Sequence, residues 1–422
     1  MVKKNEFQEQ VEKHLSEMPF NELLEKHLKA EEIMSHSLFT SPPQSVVDSY
    51  SFGWLRGIAL MTDTMLEGRW YNWLATIAKG EINWDEMPKY AVTTGYKNNL
   101  TTKMLNKCMD GIQNEGYYVT HFIDWIGYAL GISWFEKPKL SERAWKHLYE
   151  TFNLDLFFME PSDYLSQFLA ERGQGGVLDY FPTPMQVTTM INQMVCGEDR
   201  TTSQFEPCVG AAAMLLPSHS LNLVGADLSH TMTKVASIQA FLYMPWMLYV
   251  PKPIVGLHVN KETLTVNKYF EFDTNTRLYN GNSLLGEYKA PTDIFQEKSE
   301  WIDVYCHPFD LSKREIFQYD EHMHQPWESV PHEIKIEIVK AQCREIGFEA
   351  LTTNPPFNVS INKHEKENLD NIIKSNELFI KERSRMMEEQ HMLFTKIIHE
   401  VELKTTEIKS KKVIDGQLEL IF

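Results

Sequence analysis

Over the first 170 positions, apolar residues recur at intervals of three and four. "EFQEQVEKHLSEM" (6–18) and "FNELLEKHLKAEEIM" (20–34) both carry this spacing, which predicts amphipathic helices. "SERAWKHLYETF" (141–152) repeats it, opening at Ser141. Trp and Tyr are frequent here and read as core. The expectation is a helical domain, residues 1–172, that packs on something larger.

The pattern changes near 173. "GQGGVLDYFPTP" (173–184) is a glycine-rich connection ending in two prolines. "MQVTTMINQMV" (185–195) then reads as an amphipathic helix with Val187, Met190, Ile191 and Met194 on one stripe. Short apolar runs follow at "SQFEP" (203–207), "LNLVGAD" (221–227), "TRLYNGN" (276–282) and "FEALTTN" (348–354). A helical segment, "SHTMTKVASIQAFLYM" (229–244), lies between two of them. Strands alternating with helices predict an α/β fold with a parallel sheet over 173–362. Within the long connection 285–350, "SEWIDVYCHPFDL" (299–311) offers a strand and "VPHEIKIEIVKAQCREIG" (330–347) a helix. The rest of it reads as an irregular insertion.

From Lys363 to Lys412 there is neither Gly nor Pro. Apolar residues return every seven positions at Ile373, Ile380, Met387, Phe394, Val401 and Ile408. A second column runs through Ile372, Phe379, Met386 and Leu393. This predicts one helix of about 50 residues, roughly 75 Å long if continuous. A seven-residue repeat suits a supercoil with a partner helix, and packing on its own protein suits it equally. The long helix is assigned to 363–416 and a terminal peptide to 417–422.

Composition narrows the function classes. Of 422 residues, 43% are hydrophobic and 23% charged, which is ordinary for a globular protein with ample core. The net charge of −17 argues against broad electrostatic coating of DNA and leaves room for a local site. No stretch has the length of a membrane span and the first residues lack an apolar signal core, so the expected compartment is the cytoplasm. Five scattered cysteines without a CxxC pair fit free thiols in a reducing compartment. Cys306 with His307, and His322 with His324, lack second partners at finger spacing, so no metal is expected.

Four predicted strands end on chemistry. The first ends at Glu206, followed by a tight turn with Pro207 and Gly210 and a helix starting through three alanines. In parallel α/β sheets, ligands bind beyond the carboxyl ends of strands at such turns. The fingerprint G-x-G-x-x-G of dinucleotide sites is absent. The second strand ends at Asp227, where a carboxylate can accept both hydroxyls of a ribose. The third ends near Asn282, an amide able to pair with an adenine edge. The fourth ends at Asn354 of "NPPF". There the Asn354 side-chain oxygen and the Pro355 carbonyl are two acceptors for the hydrogens of an exocyclic amine, and proline brings no competing N–H. Phe357 can stack on the ring that carries the amine.

These stretches together resemble the amino-group DNA adenine methyltransferases that use S-adenosyl-L-methionine. "DYFPTP" (179–184) resembles the Tyr-Phe-Thr-Pro stretch before the cofactor strand. "FEPCVGAAAML" (205–215) resembles the Asp/Glu-Pro-x-x-Gly-x-Gly motif, and "NPPF" (354–357) matches the catalytic motif residue for residue. The helical domain in front is similar to that of modification subunits of type I restriction systems. The resemblance implies a Rossmann-like methyltransferase sheet with an N-terminal helical domain. By position, Glu206, Pro207 and Gly210 would line the methionine part of the cofactor. Thr183 would touch its carboxylate, Asp227 its ribose and Asn282 its adenine. Asn354, Pro355, Pro356 and Phe357 would form the catalytic motif that holds a flipped-out adenine. Catalysis would be orientation and hydrogen-bond polarisation, without a covalent intermediate.

The chain departs from the family at Ala212, which stands at the second glycine, at the extra proline of "YFPTP", and at Asn282, where Asp is common. The family continues with three further strands after the catalytic motif, whereas the 65 residues after Phe357 read as one helix. The sheet is therefore expected to be truncated, or completed by 285–350 or by a second protein chain. A non-catalytic relative, acting as a binding subunit or decoy in a DNA-associated complex, is the alternative reading. Asn-Pro-Pro-aromatic also occurs in enzymes acting on RNA bases and protein glutamine. The last residues, "GQLELIF" with Gln417, Leu418, Leu420 and Phe422, resemble the short peptides by which bacterial replication proteins bind the sliding clamp. A terminal strand is the competing reading. The expected setting is a bacterial or phage-infected cell, with DNA as partner.

Overall fold

The computed structural model describes residues 6–79, 87–90, 92, 99–172, 182–250, 258–260, 265–267, 274–283, 287–296, 299–305 and 350–353. The chain divides into two compact units, Met1–Ser329 with Ile346–Ser360, and Val330–Glu345 with Ile361–Phe422. All described residues belong to the first. The "NPPF" motif, the helix expected over 330–347, the heptad segment 363–412 and the terminal peptide lie outside the described residues.

The protein is mixed α/β. Nine α-helices are described before residue 173: α1 (Glu6–Ser16), α2 (Phe20–Ile33), α3 (Arg56–Leu66), α4 (Arg69–Lys79), α5 (Asn99–Gln113), α6 (Val119–Leu130), α7 (Glu142–Thr151), α8 (Asp155–Met159) and α9 (Tyr164–Arg172). Helix α7 begins where its serine predicts, and the Ser141 hydroxyl accepts the Ala144 N–H at 3.0 Å. Helix α6 is buried on nearly every side, as its almost wholly apolar sequence requires. Gly127 lets Phe135 cross it, since a Cβ there would lie 2.2 Å from the ring.

Beyond these come α10 (Met185–Val195), β1 (Gln204–Glu206), β2 (Leu223–Asp227), α11 (His230–Tyr243), α12 (Pro245–Leu248), β3 (His258–Asn260), β4 (Thr265–Asn267), β5 (Leu278–Asn280), β6 (Glu287–Pro291), β7 (Trp301–Tyr305) and β8 (Ala350–Leu351). β3 and β4 form a separate antiparallel pair. The other six make one sheet in the order β7-β6-β5-β2-β1-β8. β8, β1, β2 and β5 are mutually parallel, with Gln204 opposite both Leu223 and Ala350, and Gly225 opposite Leu278. β6 and β7 continue antiparallel. Helix α11 packs against β2 and β5. Gly225 leaves room for Val209, whose Cγ2 would lie 2.7 Å from a Cβ at that position.

The helices before residue 173 and the sheet share one hydrophobic core. Buried tryptophans join them. The Trp70 indole N–H donates to the Phe241 carbonyl and that of Trp73 to the Tyr249 carbonyl, each at 2.7 Å. A buried indole needs such a partner, so these bonds fix α4 against the α11–α12 segment.

Two expectations fail. No helix follows β1: residues 210–217 form a series of turns. Ala212 sits at φ 69°, a left-handed conformation that interrupts a right-handed helix, and Pro217 closes the segment. Two of its carbonyls are taken by side-chain amides. Asn192 donates to the Met214 carbonyl and Gln239 to that of Ala211, both at 2.6 Å. The second failure is the orientation of α10. Thr188 and Asn192 are buried, while Val187, Met190 and Met194 are exposed. Asn192 is drawn inward by its bonds to Met214 and to Gln204 at 3.0 Å, and the apolar stripe turns outward as a consequence.

Candidate functional site

Because β8, β1, β2 and β5 are parallel, their carboxyl ends share one edge. From β1 the chain proceeds to β2 and β5 on one side and later returns to β8 on the other. The order thus reverses between β1 and β8, the position beyond the strand ends at which ligands bind in open parallel α/β sheets.

β1 delivers Glu206 to this edge. Its carboxyl is buried, with Oε1 accepting the Cys208 N–H at 3.1 Å. Oε2 is buried without a hydrogen bond. Burial pushes the group up to about 8; the Cys208 N–H and the Thr353 side chain act the other way, and the Asp227 charge adds to the rise. The turn after it is tied down on several sides. The Gly210 N–H donates to Asp227 Oδ2 at 2.8 Å, and the Val209 N–H to the Ala226 carbonyl at 2.8 Å. Gly210 has φ 52°, a conformation glycine adopts without penalty.

β2 delivers Asp227. Besides Gly210, its carboxylate accepts the Ser229 N–H through Oδ1 at 2.7 Å. Burial raises this carboxyl too, against those two N–H donors. A carboxylate offers about four acceptor positions, so two remain for other donors. β5 ends at Asn280, whose amide donates to the carbonyls of Asp227 at 3.0 Å and Leu228 at 3.1 Å. Asn282 stands two residues further on, in the loop where the Ser283 hydroxyl donates to the Pro207 carbonyl at 3.0 Å.

β8 closes the other side. The Gln204 amide donates to the Thr352 hydroxyl at 2.9 Å, and the Thr352 N–H to the Phe205 carbonyl at 3.1 Å. The side chain of the next residue, Thr353, acts on both Glu206 and Cys208 and lowers the pKa of each.

The structure thus brings Glu206, Pro207, Gly210 and Asp227 together, with Asn282 in the adjoining loop. Thr183 stands two residues before α10, in a segment joined to the sheet through Asn192 and Gln204. Asn354, Pro355, Pro356 and Phe357 lie outside the described residues. Sequence reasoning missed Asn280, Cys208 and Thr353. Asn280 was legible as the first amide of "NGN", and Thr353 as the residue before the motif. Nothing in the sequence marked Cys208.

The arrangement offers a buried Glu206 oxygen without a hydrogen bond, two acceptor positions on Asp227 and, among the described residues, no side-chain cation acting on either carboxyl. It suits a ligand rich in donors, with an ammonium or hydroxyls. Among the described residues no group of three or more His, Cys, Asp or Glu is placed to hold a metal ion. None of their helices is long and apolar enough to cross a membrane. Compared with family models, with curated proteins and with solved structures, the chain matches none.

Proposed function

We propose that this protein is an S-adenosyl-L-methionine-dependent DNA methyltransferase acting on the N6 amine of adenine, on a Rossmann-like sheet. The observation that carries the reading is at the switch between β1 and β8. Thr353, the residue before Asn354, acts on Glu206 and Cys208 of the turn after β1 and holds down the pKa of each. Thr353, the last described residue before the "NPPF" motif, is thus beside the turn assigned to the cofactor. Glu206 Oε2 is the acceptor for the ammonium of the methionine part, and Asp227 keeps two acceptor positions for ribose hydroxyls. S-adenosyl-L-methionine supplies the electrophilic methyl. The chain's own residues bind, orient and polarise: Asn354 and Pro355 accept the two amine hydrogens and Phe357 stacks on the flipped base. The tail, Gln417 to Phe422, is assigned to a sliding clamp, and the heptad segment to a partner helix.

Methyl transfer tests this. The protein and Asn354→Ala are incubated with labelled S-adenosyl-L-methionine and unmethylated DNA, which is then digested to nucleosides. N6-methyladenine is expected from the parent alone, with cofactor affinity of the variant within a few fold. Loss of cofactor binding in Asn354→Ala would sink the role given to it.

A second reading, a non-catalytic binding subunit, is favoured by Ala212 and by the turns that replace a helix after β1. A helix N-terminus there would add dipole and N–H groups toward a carboxylate. Titration calorimetry with the cofactor, with and without DNA, separates the two.

A further inference from the structure

Gln239 lies in the middle of α11 and is fully buried. Its Nε2 donates twice, to Asp163 Oδ1 at 2.7 Å and to the Ala211 carbonyl at 2.6 Å. A carbonyl cannot donate, so only the –NH₂ group of the amide can face Ala211, and the same nitrogen reaches Asp163. Asp163 is itself buried, in the connection between α8 and α9, where its Oδ1 also accepts the Ser166 N–H at 3.2 Å. Burial raises this carboxyl against its bonds to Ser166 and Gln239, and its Oδ1 is held on Gln239.

The target of that aim is specific. The Ala211 carbonyl belongs to the peptide plane between Ala211 and Ala212. Rotation of this plane sets φ of Ala212, which is held at 69°. A non-glycine residue in that region costs about 1–2 kcal/mol, and it persists only where its surroundings hold it. The Ala212 N–H also donates to the Val209 carbonyl at 2.7 Å, so the same plane is anchored at both ends. Two residues earlier, Gly210 delivers its N–H to Asp227.

We propose that Gln239 is a positioning residue for the turn after β1 and that Asp163 orients it. Together they clamp the Ala211–Ala212 peptide in its strained form, so that the Gly210–Asp227 contact is preformed when ligand arrives. This couples the α8–α9 connection to the candidate cofactor site. The inference rests on the cofactor reading only for its ligand. The clamp itself is a property of the free protein.

The test is a double-mutant cycle. Gln239→Met keeps the volume and removes both donors, and Ala212→Gly removes the strain the clamp opposes. Hydrogen exchange of the 211–214 amides is read in the free proteins, and S-adenosyl-L-methionine affinity by calorimetry. Gln239→Met is expected to open the turn to exchange and weaken binding by about tenfold, the scale of one hydrogen bond. Ala212→Gly in that background is expected to restore both to within about threefold, and Asp163→Asn to give a smaller loss. Additive effects, with no rescue, would mean that Gln239 only fills the core, and the proposal fails. If the parent binds no cofactor, the cofactor reading fails, while exchange in the free proteins still decides the clamp. If Gln239→Met does not fold, Gln239→Glu replaces it. It puts an acceptor where a donor is needed, and the same rescue or its absence decides.

Discussion

Two buried carboxyls, one in each half of the described protein, are shifted in the same direction for different ends. Asp63 of α3 is pushed up to about 7 by burial, and its cause is answered locally: Arg69 and the N–H groups of Trp70 and Arg69 pull it back. Its Oδ2 accepts the Trp70 N–H at 2.7 Å, capping the start of α4. Glu206 is pushed higher, to about 8, and its charged neighbour is Asp227, which raises it further. One carboxyl is compensated by the fold that buries it. Among the described residues, the other has the Cys208 N–H and the Thr353 side chain against its rise and a second carboxylate, not a cation, beside it at the carboxyl edge of a sheet, where ligands bind. A perturbed group becomes informative when the surroundings that could relieve it do not.

The comparison predicts opposite signs for similar substitutions. Asp63→Ala removes a cap and leaves the Arg69 guanidinium buried beside it with less compensation, so it should lose about 2–3 kcal/mol at pH 8. Denaturant unfolding measures this, and a loss under about 1 kcal/mol would erase the distinction between the two groups. Glu206→Gln should instead raise the thermal midpoint at pH 8, because it removes a charge the fold disfavours.

The same substitution should weaken S-adenosyl-L-methionine binding by roughly 10–100-fold, the scale of a charge-assisted hydrogen bond. The pH dependence carries a sign. Glu206 binds its proton more tightly folded than unfolded, so its contribution to stability is complete below about pH 4.5 and is lost as pH rises through about 8. An ammonium ligand favours the ionised form and expels that proton. Affinity should therefore rise with pH up to about 8 and level off above it. A profile flat from pH 6 to 8, or one unchanged by Glu206→Gln, would remove Glu206 from the site.

Much of this edge was legible in the sequence because strand tips punctuate it. "SQFEP", "LNLVGAD" and "LYNGN" each end an apolar run on a polar residue, and β1, β2 and β5 end there. β6 was not legible: "EYKAP" alternates over only five residues, with Tyr288 and Ala290 buried and Lys289 exposed between them. The stripe of α10 misled because apolar residues are assumed to point inward. Asn192 overrides this by satisfying Met214, a carbonyl that no helix satisfies. "GAAAMLL" misled for a related reason. Its intrinsic preference is helical, and its backbone is set instead by Asn192, Gln239 and the left-handed Ala212, none of them local to the stretch except the last.

That stretch gives the smallest effect and the sharpest contrast. Ala211 and Ala212 are adjacent and both fully buried, yet only Ala212 has positive φ. Ala212→Gly relieves about 1 kcal/mol of backbone strain and forfeits a buried methyl worth about 0.8 kcal/mol, besides adding freedom to the unfolded chain. It should stay within about 1 kcal/mol of the parent. Ala211→Gly forfeits the methyl and gains no relief, so it should lose roughly 1–2 kcal/mol. Equal losses at the two positions would mean that the turn carries no strain at Ala212. The clamp by Gln239 would then have nothing to hold, and Ala212 would be an ordinary core residue at a site that happens to lack its glycine.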